Sequence, residues 1–193
     1  MKNIAIFASG EGTTTQNIID YFKPDDYGIK VSIIISNNPK ANVLNRATKA
    51  DINTLIIDRK MFYESDKIAE KLKYLNIDLI VLAGFLWKIP ESLIKNFSGK
   101  IINTHPALLP KFGGKGMYGI NVHKAVIEAK EKQSGISIHF VNEQYDEGQI
   151  ISQHTCSLIP IDTAESLAQK IHLLENEFFP KAIVDLLLSS KQI

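Results

Sequence analysis

The chain has 193 residues, enough for one domain with a substantial core and too few for a second full domain. Hydrophobic residues make up 45% of it and charged residues 22%, which is ordinary globular usage and excludes a disordered chain. The 22 basic and 21 acidic residues leave a formal charge of +1, which excludes the strong positive field of a non-specific nucleic-acid binder. We therefore expect small-molecule partners and no nucleic acid.

The single cysteine, Cys156, excludes an intramolecular disulfide and fits a reducing compartment. It falls in a predicted strand, where a buried and inert thiol is the simpler interpretation. The apolar run at the amino terminus is too short for a signal core and leads into glycines. No stretch approaches the roughly 18 apolar residues of a membrane span. We expect a cytoplasmic protein without membrane contact.

The predicted elements alternate between strands and helices. The first strand runs into a glycine turn, after which Ile18, Ile19 and Phe22 mark one face of a helix. Further strands are predicted at residues 31–35, 54–57, 79–82, 101–105, 135–141 and 149–156. Further helices are predicted at residues 43–49, through Ile68, Leu72 and Leu75, and at residues 90–97, 121–129 and 163–179.

This order predicts an α/β fold with a doubly wound, mostly parallel sheet. Residues 135–141 and 149–156 are joined by a short link, so we expect them to form an antiparallel pair. A long helix follows at the carboxyl end, and Pro180 is expected to end or kink it, because proline lacks the amide donor of a helix interior.

The turn from Gly10 to Thr15 leads from the first strand into the first helix. Free backbone amides and the positive end of the helix dipole make such a turn an anion site, with phosphate as the natural ligand. An ordinary strand-to-helix turn is the alternative. The turn is not a dinucleotide fingerprint, because it lacks the third glycine and no acidic residue follows the second strand. It is not a P-loop either, because no Gly-Lys-Ser/Thr follows.

Polar residues end the fifth strand, which reads Asn103-Thr104-His105-Pro106. In an extended segment residues i and i+2 point to the same side, so the Asn103 amide and the His105 imidazole face one space. They form either a catalytic pair or a turn-forming asparagine beside a structural histidine. A Gly-rich segment follows at residues 111–119, which indicates a mobile loop that closes over a ligand or a connection without a role.

Asp146 lies in the link between the last two strands and is a candidate to orient or charge His105. The chain has no Gly-x-Ser-x-Gly nucleophile elbow, and the other histidines lack metal-ligand spacing. An Asn-His-Asp set without a nucleophile suits direct transfer of an acyl group between two bound substrates. The asparagine would stabilise an oxyanion and the histidine would move the proton.

Four segments together resemble one known family. They are Ser9-Gly10-x-Gly12, Leu82-Ala83-Gly84-Phe85, Asn103-x-His105-Pro106-x-Leu108-Leu109-Pro110 and Asp146-x-Gly148. They resemble the phosphoribosylglycinamide formyltransferases, the folate-dependent enzymes of purine synthesis, over nearly the whole chain. The third segment is shared by the wider folate formyl-transfer superfamily. The glycine turn and the segment from Glu175 to Pro180 favour the glycinamide ribonucleotide branch.

The resemblance implies a Rossmann-like formyltransferase fold and a role for each matching residue. Asn103, His105 and Asp146 would be catalytic. The substrate would be bound at its phosphate by Gly10, Gly12, Thr13 and Thr14 and at its glycinamide end by Glu175. The residues implied to bind folate are Arg59, Leu86, Trp87, Lys88, Ile89, Asn103, Val141, Asn142 and Asp146. The chain departs from the family at Thr14, where asparagine is frequent, and at residues 86–89, where Met-Arg-Ile-Leu is familiar.

The implied activity is formyl transfer from 10-formyltetrahydrofolate, as co-substrate and without a metal, to the amine of 5-phosphoribosylglycinamide. We expect one domain over residues 1–193, with a phosphate-substrate half at about 1–100 and a folate and catalytic half at about 101–193. A monomer or weak homodimer is expected. The enzymatic alternatives are formyltetrahydrofolate deformylase and methionyl-tRNA formyltransferase, both of which carry an additional domain. The non-enzymatic alternative is a phosphate-ligand binding module.

Overall fold

A computed structural model describes residues 1–188, which form one seven-stranded sheet flanked by helices. The strands are β1 (Lys2–Phe7), β2 (Ile29–Ser36), β3 (Asn53–Ile56), β4 (Ile77–Leu82), β5 (Ile101–His105), β6 (Gln133–Phe140) and β7 (Ile150–Ser157). The helices are α1 (Thr13–Phe22), α2 (Asn42–Lys49), α3 (Arg59–Tyr63), α4 (Lys67–Tyr74), α5 (Glu91–Asn96), α6 (Ile120–Glu128) and α7 (Ala164–Leu188).

The strand order is β3-β2-β1-β4-β5-β6-β7. The first five strands of this order are parallel to one another, while β6 is antiparallel to both β5 and β7. The predicted doubly wound, mostly parallel sheet with an antiparallel pair at the end is confirmed. Because the order reverses between β1 and β4, their carboxyl ends border the crevice where open α/β sheets bind ligands.

Two apolar layers cover the two faces of the sheet. In β1, Ile4 and Ile6 pack in the layer that includes α1, α2 and α7, while Ala5 and Phe7 pack in the layer that includes α4 and α5. All four side chains are fully buried. Burial on both faces explains why the central strands are continuous apolar runs in the sequence.

The sequence predicted a last helix over residues 163–179 that Pro180 ends or kinks. The helix α7 instead continues through Pro180 to Leu188, so the predicted end at residue 179 is wrong. Proline removes the amide that would bond the carbonyl of Asn176, four residues earlier. The structure supplies another donor, since the Asn17 side-chain amide donates to that carbonyl at 2.8 Å. A side chain from α1 thus replaces the missing helix bond.

The short helix α3 was not predicted. Its amino end is capped by Asp58, whose carboxylate accepts a hydrogen bond from the Met61 amide at 2.7 Å. Such a cap stabilises a helix that is too short to show a hydrophobic period. Within residues 1–188, none of the helices combines the length and apolar character needed to cross a membrane.

Candidate active site

A cavity of about 440 Å³ lies at the carboxyl ends of β4 and β5, within the size range of small-molecule sites. Most of the predicted site residues share its wall. They are Thr13, Thr14, Leu86, Trp87, Lys88, Ile89, Asn103, His105, Val141, Asn142, Asp146 and Glu175. The structure does not place Gly10, Gly12 or Arg59 in this wall. Gly12 directly precedes Thr13, whereas Arg59 reaches the site only through a neighbouring side chain.

His105 is buried at the end of β5, with 3% of its surface exposed. Its Nε2 lies 2.8 Å from the carbonyl oxygen of Phe112, so Nε2 carries a proton and donates it. Nδ1 then faces Asp146, whose Oδ2 lies 3.5 Å away. The same Oδ2 accepts a hydrogen bond from the Gly114 amide at 2.9 Å. The Gly-rich loop therefore holds both members of the pair through its backbone.

Asp146 owes its position to a tight turn between β6 and β7. Its φ is 56°, a left-handed conformation that aspartate adopts more readily than most residues. Two residues later, a Cβ on Gly148 would lie 1.7 Å from the carbonyl oxygen of Phe140, so the turn requires glycine there. The Asp146-x-Gly148 pattern thus has a direct structural reason.

Asn103 is oriented by His139, a residue that the sequence did not single out for the site. The two residues are cross-strand partners in the β5–β6 ladder, and Asn103 Nδ2 lies 3.1 Å from His139 Nε2. His139 Nδ1 donates to the carbonyl of Phe140 at 2.8 Å. Burial lowers the pKa of His139, although the Phe140 carbonyl and Asp146 act in the opposite direction. A neutral imidazole accepts from Asn103 at Nε2, which leaves the second amide N–H of Asn103 for a ligand.

The glycine turn leaves the amino end of α1 without a side-chain cap. Gly12 precedes α1 with a φ of 69°. A Cβ at Gly12 would lie 2.5 Å from Val43 Cγ2, so glycine also allows α2 to pack against the turn. Arg46 Nε donates to the carbonyl oxygen of Glu11 at 2.7 Å and fixes the turn from outside. The first amides of α1 remain free of side-chain caps, as binding of an oxyanion requires.

Glu175 faces the cavity from α7. Ala168, Ile171 and His172 line the same wall, and their spacing of three, four and seven residues marks one helix face. Thr14 donates its hydroxyl to Glu175 Oε2 at 3.2 Å, and Thr104 donates to Oε1 at 3.4 Å. The carboxylate therefore connects the glycine turn to β5.

An aromatic platform borders the cavity where the folate contacts were predicted. Trp87 packs beside Tyr63, and the Arg59 guanidinium lies 5.0 Å from the centre of the Trp87 ring. Tyr63 donates its hydroxyl to the Lys88 carbonyl at 3.1 Å, and Lys88 Nζ lies 5.4 Å from the centre of the Tyr145 ring. Arg59 thus contacts Trp87, a residue of the cavity wall, and does not line the cavity itself.

A larger cavity of about 620 Å³ lies elsewhere, between α1, α2 and the beginning of β2. It lacks the convergent Asn, His and Asp side chains of the first, so the chemistry is assigned to the smaller cavity. Among the described residues, no group of three or more His, Cys, Asp or Glu side chains is placed to hold a metal ion.

This geometry agrees with comparisons of the chain with known proteins. A family model described as "Formyl transferase" matches residues 2–183. The chain belongs to the formyl transferase family. It is 37% identical over 187 residues to phosphoribosylglycinamide formyltransferase of Haemophilus influenzae, covering 95% of this chain and 86% of the relative. The crystal structure of phosphoribosylglycinamide formyltransferase from Bacillus halodurans superposes with a TM-score of 0.88 at 34% identity, covering 98% of this chain and 97% of the other.

The same formyl transferase domain occurs inside longer proteins. The chain is 38% identical to the trifunctional purine biosynthetic protein adenosine-3 of Drosophila melanogaster over 94% of its own length. It spans 14% of the length of that relative. The family resemblance inferred from the four sequence segments is confirmed.

Proposed function

We propose that this formyl transferase moves the formyl group of 10-formyltetrahydrofolate directly to the amine of 5-phosphoribosylglycinamide, a step of purine synthesis. The observation that carries the proposal is the convergence of Asn103, His105 and Asp146 in one cavity wall, with Glu175 in the same cavity. Three groups supply oxyanion stabilisation and proton transfer, and the fourth is an anion that attracts an amine. The names of the relatives support the same reaction.

The amine substrate would lie between the glycine turn and α7. Its phosphate would accept hydrogen bonds from the backbone amides at Thr13 and Thr14, aided by Gly12, with Gly10 leading into the turn. Glu175 would bind the amine end. The hydrogen bond from the Thr14 hydroxyl to Glu175 fixes the distance between the phosphate site and the amine site. The site therefore selects a substrate whose phosphate and amine are separated by that distance.

The folate co-substrate would occupy the rest of the cavity. Its pterin would lie between residues 86–89 and the segment of Val141, Asn142 and Asp146, all in the wall. The Trp87 platform and the cations of Arg59 and Lys88 would border its anionic end. The residues proposed to bind folate and those proposed to bind the amine substrate thus come from both halves of the chain.

The neutral amine would attack the formyl carbon, forming a C–N bond while the carbonyl electron pair moves to oxygen. The free N–H of Asn103 and the His105 side chain would stabilise the oxyanion, and one such donor is worth about 2.7–4 kcal/mol. Collapse of the intermediate breaks the bond to N10 of the folate, and the proton that the attacking nitrogen loses is transferred to N10. Asp146 would orient His105 for this transfer or position the water that relays the proton.

A product-partition assay tests the reaction class. Formyl donor is mixed with the protein in the presence and absence of 5-phosphoribosylglycinamide, and both formate and the formylated amide are measured. We expect donor consumption to require the amine and to yield the amide. Amine-independent release of formate would instead identify a deformylase, and donor that is not consumed in either case would identify a binding module.

A second assay tests the phosphate contact at the glycine turn. The dephosphorylated amine is compared with the natural substrate in kcat/KM. Because the turn offers free helix amides to a dianion, we expect the dephosphorylated compound to bind much more weakly. Equal affinities would remove the assigned role of Gly12, Thr13 and Thr14 and leave formyl transfer untouched.

A further inference from the structure

The cavity contains one titratable group that the proposed steps do not use. His123 lies in the cavity wall with 6% of its surface exposed, and its Nδ1 is buried without a hydrogen-bond partner among the described residues. An unpaired buried nitrogen destabilises a fold, so native structures usually pair or hydrate such atoms. Nδ1 is closed off from the cavity, so a ligand can reach the ring only at Nε2, which also has no hydrogen-bond partner among the described residues.

The other histidines are engaged or exposed. His105 and His139 hydrogen-bond to backbone carbonyls at 2.8 Å. His154 lies outside the cavity, where its ring stacks on Phe178 at 3.7 Å and its Nε2 is 3.2 Å from Ser152 Oγ. The side chain of His172 is 40% exposed. His123 alone among these residues combines deep burial, a place in the cavity wall and an unpaired nitrogen.

The surroundings of His123 lower its pKa and so favour the neutral imidazole. It lies in the first turn of α6, where the positive end of the helix dipole disfavours an imidazolium. Burial lowers its pKa, Glu175 acts in the opposite direction, and His105 lowers the pKa further. The other ionisable side chains of the cavity wall are Lys88, Lys115, Tyr118, His139, Tyr145, Asp146 and His172.

The reaction needs a base at the amine end. A carboxylate such as Glu175 favours the protonated amine, and an ammonium has no electron pair with which to attack. His105 and Asp146 are placed to serve the oxyanion and the folate nitrogen. A second group must therefore accept the proton of the ammonium before the attack.

We propose that His123 is that base. One N–H bond of the ammonium breaks, a new N–H bond forms at Nε2 of His123, and the freed electron pair attacks the formyl carbon. His123 releases the proton to solvent when the product leaves. The imidazolium that forms is stabilised by the charge of Glu175. The proposal rests on the proposed formyl transfer. It gives each substrate one imidazole and one carboxylate: His123 and Glu175 for the amine, and His105 and Asp146 for the folate.

The test is the pH profile of kcat/KM for the wild-type protein and for His123→Asn, which keeps a hydrogen-bonding side chain but cannot take the proton. We expect a loss of about 100-fold near neutral pH, as is typical of a missing general base. The deficit should shrink at alkaline pH, because the substrate then arrives as the free amine. The matched control is His154→Asn, a histidine outside the cavity, which should follow the wild-type profile.

A deficit of equal size at every pH, or no deficit, would overturn the proposal and leave His123 with a packing role. Wild-type protein that transfers no formyl group would overturn the proposed function and the role of His123 with it. If the wild-type protein transfers the formyl group and the His123→Asn variant has the same pH profile, only the role of His123 is overturned.

A measurement on the wild-type protein covers the case in which the variant fails to fold. The ¹⁵N resonances of the His123 imidazole are recorded with and without 5-phosphoribosylglycinamide, and with an analogue in which a methyl group replaces the amine. We expect the imidazole signals to shift with the amine and to stay unchanged with the analogue. Equal shifts with both compounds, or none with either, would contradict direct contact with the amine.

Discussion

The two sides of the cavity differ in how completely their polar groups are paired. On the side of β5 and β6, Asn103 and His105 make hydrogen bonds of 3.1 and 2.8 Å, and the Asp146 carboxylate accepts one of 2.9 Å. On the side of α6 and α7, Glu175 is held by bonds of 3.2 and 3.4 Å, and His123 has an unpaired nitrogen. The first side is held by its own hydrogen bonds, and under our proposal the substrate completes the second.

Substitution of His105 or Asp146 should produce the largest loss of activity. We expect His105→Ala and Asp146→Asn each to reduce kcat about 10²–10⁴-fold, because general acid–base catalysis contributes that much. Steady-state assays at saturating concentrations of both substrates measure it, with thermal melts to confirm folding. Full activity in either variant would remove the pair from the mechanism.

Substitutions on the side of α6 and α7 should change substrate binding more than turnover. Glu175→Gln keeps the size and the contacts to the two threonines but removes the charge that attracts the amine. Hydrogen bonds to charged groups contribute about 1.5–3 kcal/mol, so we expect kcat/KM for the amine to fall roughly 10–150-fold. Most of the loss should appear in the KM of the amine. An equal rise in the KM of the formyl donor would show that the two sides do not act separately.

The glycine turn should be sensitive in stability as well as in binding. Gly12→Ala forces a side chain into the left-handed region and against Val43, which we expect to cost about 1–3 kcal/mol. That corresponds to a fall in Tm of roughly 3–10 °C for a chain of this size. Gly10→Ala is the matched control, because a Cβ there meets nothing within 4 Å. Equal Tm values for the two variants would refute the packing argument.

The smallest expected effect concerns the anchor of α7, which carries Glu175. Asp162 accepts hydrogen bonds from the Ile159 amide, the Ser166 hydroxyl and Lys170 Nζ, which lower its pKa to about 2. The folded-state pKa is depressed, so this contribution is present above the unfolded value near 4 and is lost as pH falls through about 2.

Asp162→Asn should therefore lower Tm modestly at neutral pH without changing kcat. The difference in Tm between the two proteins should disappear as the pH approaches 2. Melting curves across this range measure the difference, and a difference that persists at the lowest pH would contradict the assignment.

The sequence predicted the fold well because burial on both faces makes the parallel strands continuous apolar runs. It failed at Pro180, because the donor that replaces the lost helix bond is Asn17, a residue distant in the chain. It also missed α3, which is too short for a hydrophobic period and shows itself only by the Asp58 cap. Local patterns therefore predicted elements, while long-range compensation did not leave a local pattern.

The candidate site was predictable where its residues lie close in sequence. Asn103 and His105 share a strand, and their alternation places both in the cavity wall. His139 was missed because its contact with Asn103 depends on the strand register, which the sequence does not specify. The burial of His123 likewise follows from packing of α6. The catalytic and binding roles of the individual residues stay predictions, as do the monomeric or weakly dimeric state and the cytoplasmic location.

Direct transfer between two bound substrates is the central claim, and the fate of the formyl oxygen tests it. The reaction is run in H₂¹⁸O and the formylated product is analysed by mass spectrometry. Direct attack by the amine keeps the original oxygen, so we predict a product without ¹⁸O and no labelled formate. Incorporation of ¹⁸O into the product, or accumulation of labelled formate, would show that water attacks first and would contradict direct transfer.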